Sequence, residues 1–430
     1  MPELNRRHFL VTGLAAGAAA AVPAAAHADP GTTRALASRG PHADPFTLGV
    51  ACGDPGSDGF VLWTRLAPQP LAEDGLGGMP ARPVQVRWQV YADERCRRLV
   101  RSGVAVAAPE WGHSVHVELD GLSAGRDYWY RFRAGPYVSP VGRARTAPHP
   151  HSYGGPLAMA FVSCSQYEHG YFTAYRRLAE EHPDLILHLG DYQYEYARNS
   201  YEAPGGNVRD HEGPETETLA DYRLRHAQYK TDPDLRAAHA AAPWLVVWDD
   251  HEVDNNWAGE VPERPDRPQP DFLARREAAF RAYYENMPLR RDSIPRGVDM
   301  QLFRRVRWGR MATFHMLDTR QYRDDQGCGD GADSDPATHP FLGINPHLRF
   351  YNNQRGYVIT RVERERLTAD FKVVPTVREP GAEAHTKATF VIEDRVPGVQ
   401  QTYLRPLDPS ARSSGQMTAE DTVRWETERP

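Results

Sequence analysis

The chain has 430 residues, 40% of them hydrophobic, and a formal net charge of −6 at pH 7. A length of this order suggests about two or three domains and is ample to bury a core. The mildly acidic balance argues against nucleic-acid binding through a basic surface. Four cysteines are too few for a disulfide scaffold, although Cys52 and Cys96 lie in the same region and could pair.

The first 28 residues have the composition of an export signal. Arg6 and Arg7 form a twin-arginine pair, and an alanine-rich apolar stretch follows that ends in Ala26-His-Ala28. This stretch is short for a bilayer span and ends in a cleavage-type sequence, so a stable membrane anchor is disfavoured. We predict export through the twin-arginine machinery, a mature chain that begins at Asp29, and a periplasmic, cell-wall-associated or extracellular location.

The next part of the chain has the pattern of an all-β domain. Residues 29–45 lack periodicity and are expected to form a flexible leader. Apolar and polar residues alternate over residues 84–91 and 114–119, and residues 128–132 form a third strand-like run. Short strands separated by turns predict a small β-sandwich over residues 46–147.

From residue 157 onward the pattern changes to strands that alternate with helices, which is typical of an α/β domain. Helices are predicted over residues 172–181, 216–229 and 271–286, with another helix starting near residue 231. A further strand is predicted over residues 311–317. Three antiparallel strands are predicted after it, over residues 357–362, 368–374 and 387–392. We predict a second domain over residues 157–400 and a polar tail over residues 401–430.

Three apolar runs in the second domain each end in side chains that bind metals. Cys164 follows the first run, Asp191 the second, and Asp250 with His251 the third. Parallel strands of an α/β sheet present their carboxyl ends at one edge, so these side chains are expected to converge. Densely packed carboxylates repel one another, and a bound cation offsets that repulsion. A solvated acidic loop and a buried structural thiol are the alternatives for the individual segments.

Six segments of the mature chain together resemble the PhoD-like alkaline phosphatases, a metallophosphoesterase family, and they follow one another in the family's order. They are residues 49–55, 161–164, 188–194, 248–252, 317–323 and 345–350. The resemblance implies a layered α/β metallophosphoesterase core with flanking helices, preceded by an immunoglobulin- or fibronectin-like β-sandwich. It also implies a metal-dependent phosphatase or phosphodiesterase that hydrolyses phosphate mono- or diesters through a metal-bound hydroxide.

The resemblance also implies the roles of individual side chains. Cys164, Asp191, Tyr194 and Asp250 would be metal ligands, and His251 would contact phosphate or protonate the leaving oxygen. A thiolate and a phenolate together suit iron better than magnesium or calcium, whereas ligands that are all oxygen suit calcium. The resemblance accordingly implies iron (Fe³⁺) together with calcium as cofactors.

The charged neighbours of these residues leave alternatives open. Asp249, Glu252 and Asp254 could orient the ligands or could face solvent. Asp318 and Arg320 follow a predicted strand, where a salt bridge between them is expected. Arg320 could instead bind the substrate phosphate, because a guanidinium keeps its charge and forms bidentate hydrogen bonds.

One departure from the family concerns residues 336–344. At this point the family normally carries a long stretch with a Gly-Asp-x-His segment that completes the metal site, and this chain has no such segment. His347 is the one remaining candidate to replace the histidine, and the loss is expected to expose neighbouring strand edges. We therefore expect an enzyme with reduced activity or, alternatively, an inactive exported remnant that acts as a binding protein. A purple-acid-phosphatase-like enzyme is disfavoured by Cys164.

Overall fold

The computed structural model describes residue 41 and residues 43–405, except residues 204, 265–270, 324–349, 351 and 353. The strands are β1 (Val50–Gly53), β2 (Phe60–Arg65), β3 (Val84–Tyr91), β4 (Leu99–Ala107), β5 (Ser114–Leu119), β6 (Asp127–Ala134), β7 (Tyr137–Val138), β8 (Gly142–Arg145), β9 (Leu157–Val162), β10 (Leu185–His188), β11 (Pro243–Val246), β12 (Arg304–Trp308), β13 (Ala312–Met316), β14 (Gly356–Val362), β15 (Arg366–Val373), β16 (His385–Glu393) and β17 (Gln400–Leu404). The helices are α1 (Thr173–Glu180), α2 (Leu219–Thr231), α3 (Pro233–Ala241) and α4 (Phe272–Asn286).

A ten-stranded mixed sheet forms the centre of the molecule, in the order β17-β16-β15-β14-β9-β10-β11-β1-β2-β5. Strands β9, β10, β11 and β1 run parallel to one another, whereas the strands on both sides of them are antiparallel. β10 and β11 are buried along their whole length, as expected for continuous apolar runs in a parallel sheet. Their carboxyl ends therefore meet at one edge, as the sequence predicted.

Local sequence signals set the starts of two helices that connect these strands. α2 begins at a capping box in which Thr218 and Asp221 exchange hydrogen bonds. α3 begins with Pro233 at its first position, and the Asp232 carboxylate accepts the backbone N–H groups of Asp234 and Leu235. The predicted helices and the later antiparallel strands are confirmed, with shifts of a few residues at their ends.

The predicted strands between residues 46 and 147 are also confirmed, but they belong to two sheets. β3, β4, β6, β7 and β8 form a separate five-stranded sheet, whereas β1, β2 and β5 extend the central sheet. A hydrophobic cluster that includes Leu62 of β2, Val86 of β3 and Tyr130 of β6 lies between the two sheets. β1 pairs in parallel with β11, opposite Pro243 and Trp244, so the sandwich shares its sheet with the second predicted domain.

Two expectations from the sequence need correction, and one question that the sequence left open is answered. β14 pairs with β9 over Leu157–Phe161, so the edge of β9 is covered rather than exposed. Residues 401–404, assigned to a polar tail, pair with β16 as part of β17. Cys52 is buried, Cys96 is half-buried, and both are free thiols that do not pair.

Candidate metal centre

The candidate site lies in the loops that follow β9, β10 and β11. Backbone hydrogen bonds join the first two loops: the Cys164 N–H donates to the Gly190 carbonyl at 3.1 Å and the Ser165 N–H to the Asp191 carbonyl at 2.8 Å. Cys164 and Asp191 both have a left-handed backbone, with φ of 58° and 54°. Such conformations cost about 1 to 3 kcal/mol each for residues other than glycine. Two such left-handed conformations at the ends of neighbouring strands suggest that this part of the backbone has a functional role.

Gly190 allows the second and third loops to approach each other closely. Its φ is +114°, and a Cβ atom built on it would lie 2.4 Å from the Asp249 backbone nitrogen. A real carbon atom cannot occupy that position, so one of the two loops would have to move. Glycine is therefore required at position 190, where the loop that carries Asp191 touches the backbone of Asp249.

Gly190→Ala is expected to lower the free energy of unfolding by at least about 2 kcal/mol, because it adds a backbone clash to an unfavourable φ. Urea denaturation of purified protein measures the loss. Gly206→Ala is the matched control, since Gly206 also has a positive φ of 84° but nothing within 4 Å of the added carbon. Equal losses in the two variants would contradict the proposed loop contact.

The five predicted site residues lie together in the structure. Ligand atoms of Asp191, Asp250 and His251 are all within 4.8 Å of one another. The Cys164 Sγ is 3.3 Å from Asp191 Oδ2, and the Tyr194 hydroxyl is 3.4 Å from the same oxygen. Asp191 is thus the centre of the cluster.

The cluster fits a metal. Asp191 is only 6% exposed, and its Oδ1 has no hydrogen-bond partner among the described residues. A buried carboxylate oxygen without a donor is costly, and a cation would satisfy it. Thiol, phenol, carboxylate and imidazole groups together form a donor set typical of a transition metal.

The pKa values of the buried groups in the cluster also favour a bound cation. Burial, opposed by His251 and reinforced by the carboxylates of Asp250 and Asp249, raises the pKa of Asp191 to about 7. Burial and then Asp191 raise the pKa of the Tyr194 hydroxyl well above its usual value. Without a cation, Tyr194 retains its proton at neutral pH and Asp191 is partly protonated, whereas a cation would favour the anionic forms of both.

His251 contacts a buried carboxylate that the sequence did not single out. Its Nδ1 lies 2.9 Å from Oε2 of Glu195, which is 1% exposed. Burial lowers the pKa of His251, but the Glu195 carboxylate outweighs burial and the pKa rises to about 10. The imidazole ring also stacks on Tyr194, with 4.1 Å between the ring centroids. In the sequence, the one sign that Glu195 could belong to the site was its position directly after Tyr194.

Two of the three ambiguous acids are buried and make defined contacts. Glu252, 1% exposed, accepts the backbone N–H groups of Tyr192 at 2.7 Å and Asp249 at 2.9 Å, and so links the second and third loops. Asp254, also 1% exposed, forms an ion pair with Arg275 at 3.0 Å. Neither residue faces solvent, whereas the Asp249 side chain is partly exposed.

Arg320 lies in the site, but the expected salt bridge to Asp318 is wrong. Its guanidinium pairs with Asp249 at 2.7 Å and with Asp250 at 3.5 Å. The Asp318 carboxylate instead accepts the backbone N–H groups of Arg320 and Gln321 and closes the turn after β13. This turn directs Arg320 across the site, and its Nη1 has no hydrogen-bond partner among the described residues.

Comparison with known proteins places this geometry in a family. The model of the PhoD-like phosphatase domain matches residues 159–344, and the model of the PhoD-like phosphatase N-terminal domain matches residues 31–148. The solved structure of PhoD is similar with a TM-score of 0.83 and 37% sequence identity, over 90% of this chain and 98% of that one. The chain belongs to the PhoD-like phosphatase family. The layered α/β fold expected from the resemblance is thereby confirmed.

A curated relative of this PhoD-like chain is alkaline phosphatase D of Bacillus subtilis (strain 168). The two are 53% identical over 314 residues, which are 72% of this chain and 53% of the relative. The chain therefore spans about half the length of this curated relative. The predicted missing segment and His347 lie outside the described residues, so the absence of part of the site stays a prediction.

The export prediction is confirmed by a match of residues 3–23 to the twin-arginine signal sequence. This PhoD-like protein is exported by that pathway. A search of the helices in the described part of the chain finds none that is both long and apolar enough to cross a membrane.

Replacing both Arg6 and Arg7 by lysine is expected to block export, because the machinery recognises the arginine pair itself. Fractionation of cells that express the intact chain and the double variant measures the effect, and N-terminal sequencing of the exported form should begin at Asp29. Undiminished export of the double variant, or a retained signal, would contradict the assignment of this signal or of its cleavage site.

Proposed function

We propose that this exported PhoD-like protein is a metal-dependent hydrolase of phosphate esters. The observation that carries the proposal is the convergence of Cys164, Tyr194, Asp250 and His251 around the unpartnered buried oxygen of Asp191. Family membership supports the same chemistry. Both phosphate monoesters and diesters are candidate substrates.

The donor types suggest how two cations would be held. Cys164 and Tyr194 supply a thiolate and a phenolate for Fe³⁺, and Asp250 supplies carboxylate oxygen for Ca²⁺. Asp191, whose Oδ2 lies near the thiol and the phenol and whose Oδ1 has no partner among the described residues, would also hold a cation. When bound, the cations supply Lewis acidity, which lowers the pKa of water and offsets phosphate charge.

Side chains of the site would donate a proton to the leaving oxygen and offset the charge of the phosphate. The Glu195 carboxylate, 2.9 Å from Nδ1 of His251, favours the protonated imidazole, which would give a proton to the leaving oxygen of the ester. Arg320 carries a permanent charge, and its free Nη1 is a donor for a phosphate oxygen. The hydrogen bonds of Glu252 to two loops keep the carboxylates in place.

A second candidate function is a binding protein without catalysis. The contact of the Arg320 guanidinium with Asp249 and Asp250 favours this alternative, because it offsets the carboxylate charge as a metal would. The predicted loss of the Gly-Asp-x-His segment points the same way, since half of a ligand set holds two cations poorly.

Elemental analysis and turnover together decide between the two candidates. Mature protein, expressed with iron and calcium supplied, is assayed for both metals and for hydrolysis of p-nitrophenyl phosphate and bis(p-nitrophenyl) phosphate. Chelator-sensitive turnover supports the hydrolase, whereas metal-free, inactive protein supports the binding protein. Insertion of the Gly-Asp-x-His segment from a full-length relative should raise turnover if its absence limits activity.

Cys164→Ser is expected to weaken or shift a visible charge-transfer band of the iron-loaded protein. The reason is that a thiolate is a stronger donor to ferric iron than a hydroxyl group is. Absorption spectra of the two proteins at matched iron content measure the change. A colourless protein without iron, after expression with iron supplied, would contradict the iron assignment.

A further inference from the structure

A pocket of about 290 Å³ opens beside the candidate metal centre. Cys164 and Tyr194 line it on the side of the site, so any ligand in the pocket is adjacent to the cluster. The other walls come from the loop between β9 and α1, from Tyr201, and from Gln354–Gly356 at the start of β14. Since the pocket shares two walls with the site, it can hold a part of the substrate that the metal ligands do not contact.

Gln166 lines this pocket, and its side-chain amide carries an unpaired donor that is buried just behind the wall. The side chain is 7% exposed, and its Oε1 accepts the backbone N–H of Glu168 at 3.1 Å and the hydroxyl of Tyr229 at 3.4 Å. These two donors fix the orientation of the amide, so Nε2 is the free end. Nε2 has no partner among the described residues. An unpaired buried donor costs about 1 to 3 kcal/mol, which a ligand acceptor would recover.

Arg355 gives the pocket a positive charge. Its exposed side chain lines the wall and forms no ion pair with any residue in the described ranges. Among those residues, no aspartate or glutamate lines the pocket. His169 adds no charge at neutral pH, because burial lowers the pKa of its imidazole. The Tyr201 ring, which packs edge-on against His169 with 4.8 Å between centroids, supplies an apolar surface in the same wall.

We infer that this pocket binds an anionic group in the alcohol part of the phosphate ester, through Arg355 and the Nε2 of Gln166. This inference rests on the proposed hydrolase function and extends it to substrate choice. A carboxylate and a second phosphate group offer the same acceptor oxygens to these donors. Arg355 and Gln166 would then determine specificity, while the phosphate that reacts is held at the metal cluster.

The test compares esters with and without the anionic group. For the intact mature protein, kcat/KM is measured for phenyl phosphate, 4-carboxyphenyl phosphate and 1,4-phenylene diphosphate. The ratio of each charged ester to phenyl phosphate is then compared between proteins, so that intrinsic leaving-group reactivity cancels. In Arg355→Gln the ratio is expected to fall about tenfold or more, the usual effect of losing a charge-assisted hydrogen bond. A fall for only one charged ester identifies which anion the pocket takes.

Three further variants sharpen the comparison. Gln166→Glu keeps the accepting oxygen and replaces the free donor by an acceptor, so it should lower the same ratio. Arg355→Lys keeps the charge and should retain part of the preference. Arg361→Gln removes an exposed positive charge from the same strand, β14, outside the pocket, and should leave the ratio unchanged. An unchanged ratio in Arg355→Gln, or an equal fall in Arg361→Gln, would overturn the inference.

Binding separates this inference from the proposed hydrolysis. Calorimetric titration with benzylphosphonate and 4-carboxybenzylphosphonate measures the preference without turnover. If no ester is hydrolysed, the hydrolase proposal fails, but tighter binding of the carboxylated compound that is lost in Arg355→Gln still supports the pocket. Equal affinity for the two phosphonates, or no binding of either, would count against the pocket.

Discussion

Asp191→Asn is expected to lower turnover of a phosphate ester by roughly a thousandfold or more. The Asp191 carboxylate lies within 3.4 Å of both the Cys164 thiol and the Tyr194 hydroxyl, and its other oxygen has no partner among the described residues. An amide of the same shape would offer one neutral oxygen in place of two charged ones, so it could not bridge two cations. Losing metal-based stabilisation of the transition state costs several kcal/mol, and about 4 kcal/mol corresponds to a thousandfold.

The measurement is the initial rate of bis(p-nitrophenyl) phosphate hydrolysis by intact protein and variant, with metal content determined on the same samples. Asp292→Asn, on an exposed residue outside the site, is the matched control and should retain full activity and metal content. Turnover unchanged in Asp191→Asn would refute the site itself. Robust chelator-sensitive turnover by the intact chain would show instead that the missing segment matters less than expected.

The sequence predicted that the side chains at the strand ends of the site lie close together. Cys164, Asp191 and Asp250 each follow an apolar run, and parallel pairing of β9, β10 and β11 brings such ends together. Tyr194 and His251 could be assigned only through the family resemblance, because a single tyrosine or histidine has no distinctive spacing. The structure adds that Tyr194 and His251 stack on each other.

Contacts between distant segments could not be predicted in the same way. Arg320 pairs with Asp249, 71 residues earlier, because the Asp318 turn uses its carboxylate on backbone N–H groups. The pocket likewise depends on Arg355 meeting a loop that precedes α1. Nothing in local periodicity specifies which segments meet across such distances.

For the same reason, the sequence could not predict which strands pair with each other in the sheets. Alternation predicted the individual strands between residues 46 and 147, because side-chain period is a local property. It could not show that β1 pairs with β11, opposite Pro243, or that β14 covers β9. Both pairings join segments about 200 residues apart, and a strand's own pattern is the same whichever partner it has.

Four buried histidines are each expected to lower the free energy of unfolding when the pH falls from 7 to 5. His188, His211, His226 and His239 are buried, with at most 3% exposure. Burial lowers the pKa of His188 to about 3 and of His211 to about 2, and lowers the pKa of the other two well below the usual value. In the unfolded chain a histidine has a pKa of about 6.5. Below that pH the unfolded state binds protons that the folded state does not, so stability falls as pH falls.

Three buried carboxyl groups, those of Asp191, Asp254 and Glu252, and the His251 imidazole act in the opposite direction. Burial raises the pKa of Glu252 well above its usual value, and, against the effect of burial, Glu195 raises the pKa of His251 to about 10. Burial raises the pKa of Asp191 to about 7 and of Asp254 to about 6, so their folded forms take up protons first and stability rises as pH falls through that range. Each histidine contributes a loss of about 2 kcal/mol between pH 7 and pH 5. The opposing groups offset much of this loss, so the contribution of one histidine is measured as the difference between a variant and the intact protein.

His226 offers the cleanest test of this balance, because both of its ring nitrogens lack partners among the described residues. In His226→Leu the loss of stability between pH 7 and pH 5 is expected to shrink by about 2 kcal/mol. Changes in packing affect both pH values alike and cancel in the difference. Urea denaturation of metal-free protein at the two pH values gives the numbers, with the exposed His315→Leu as control. An equal pH dependence in His226→Leu and the intact protein would mean that His226 is protonated in the folded state.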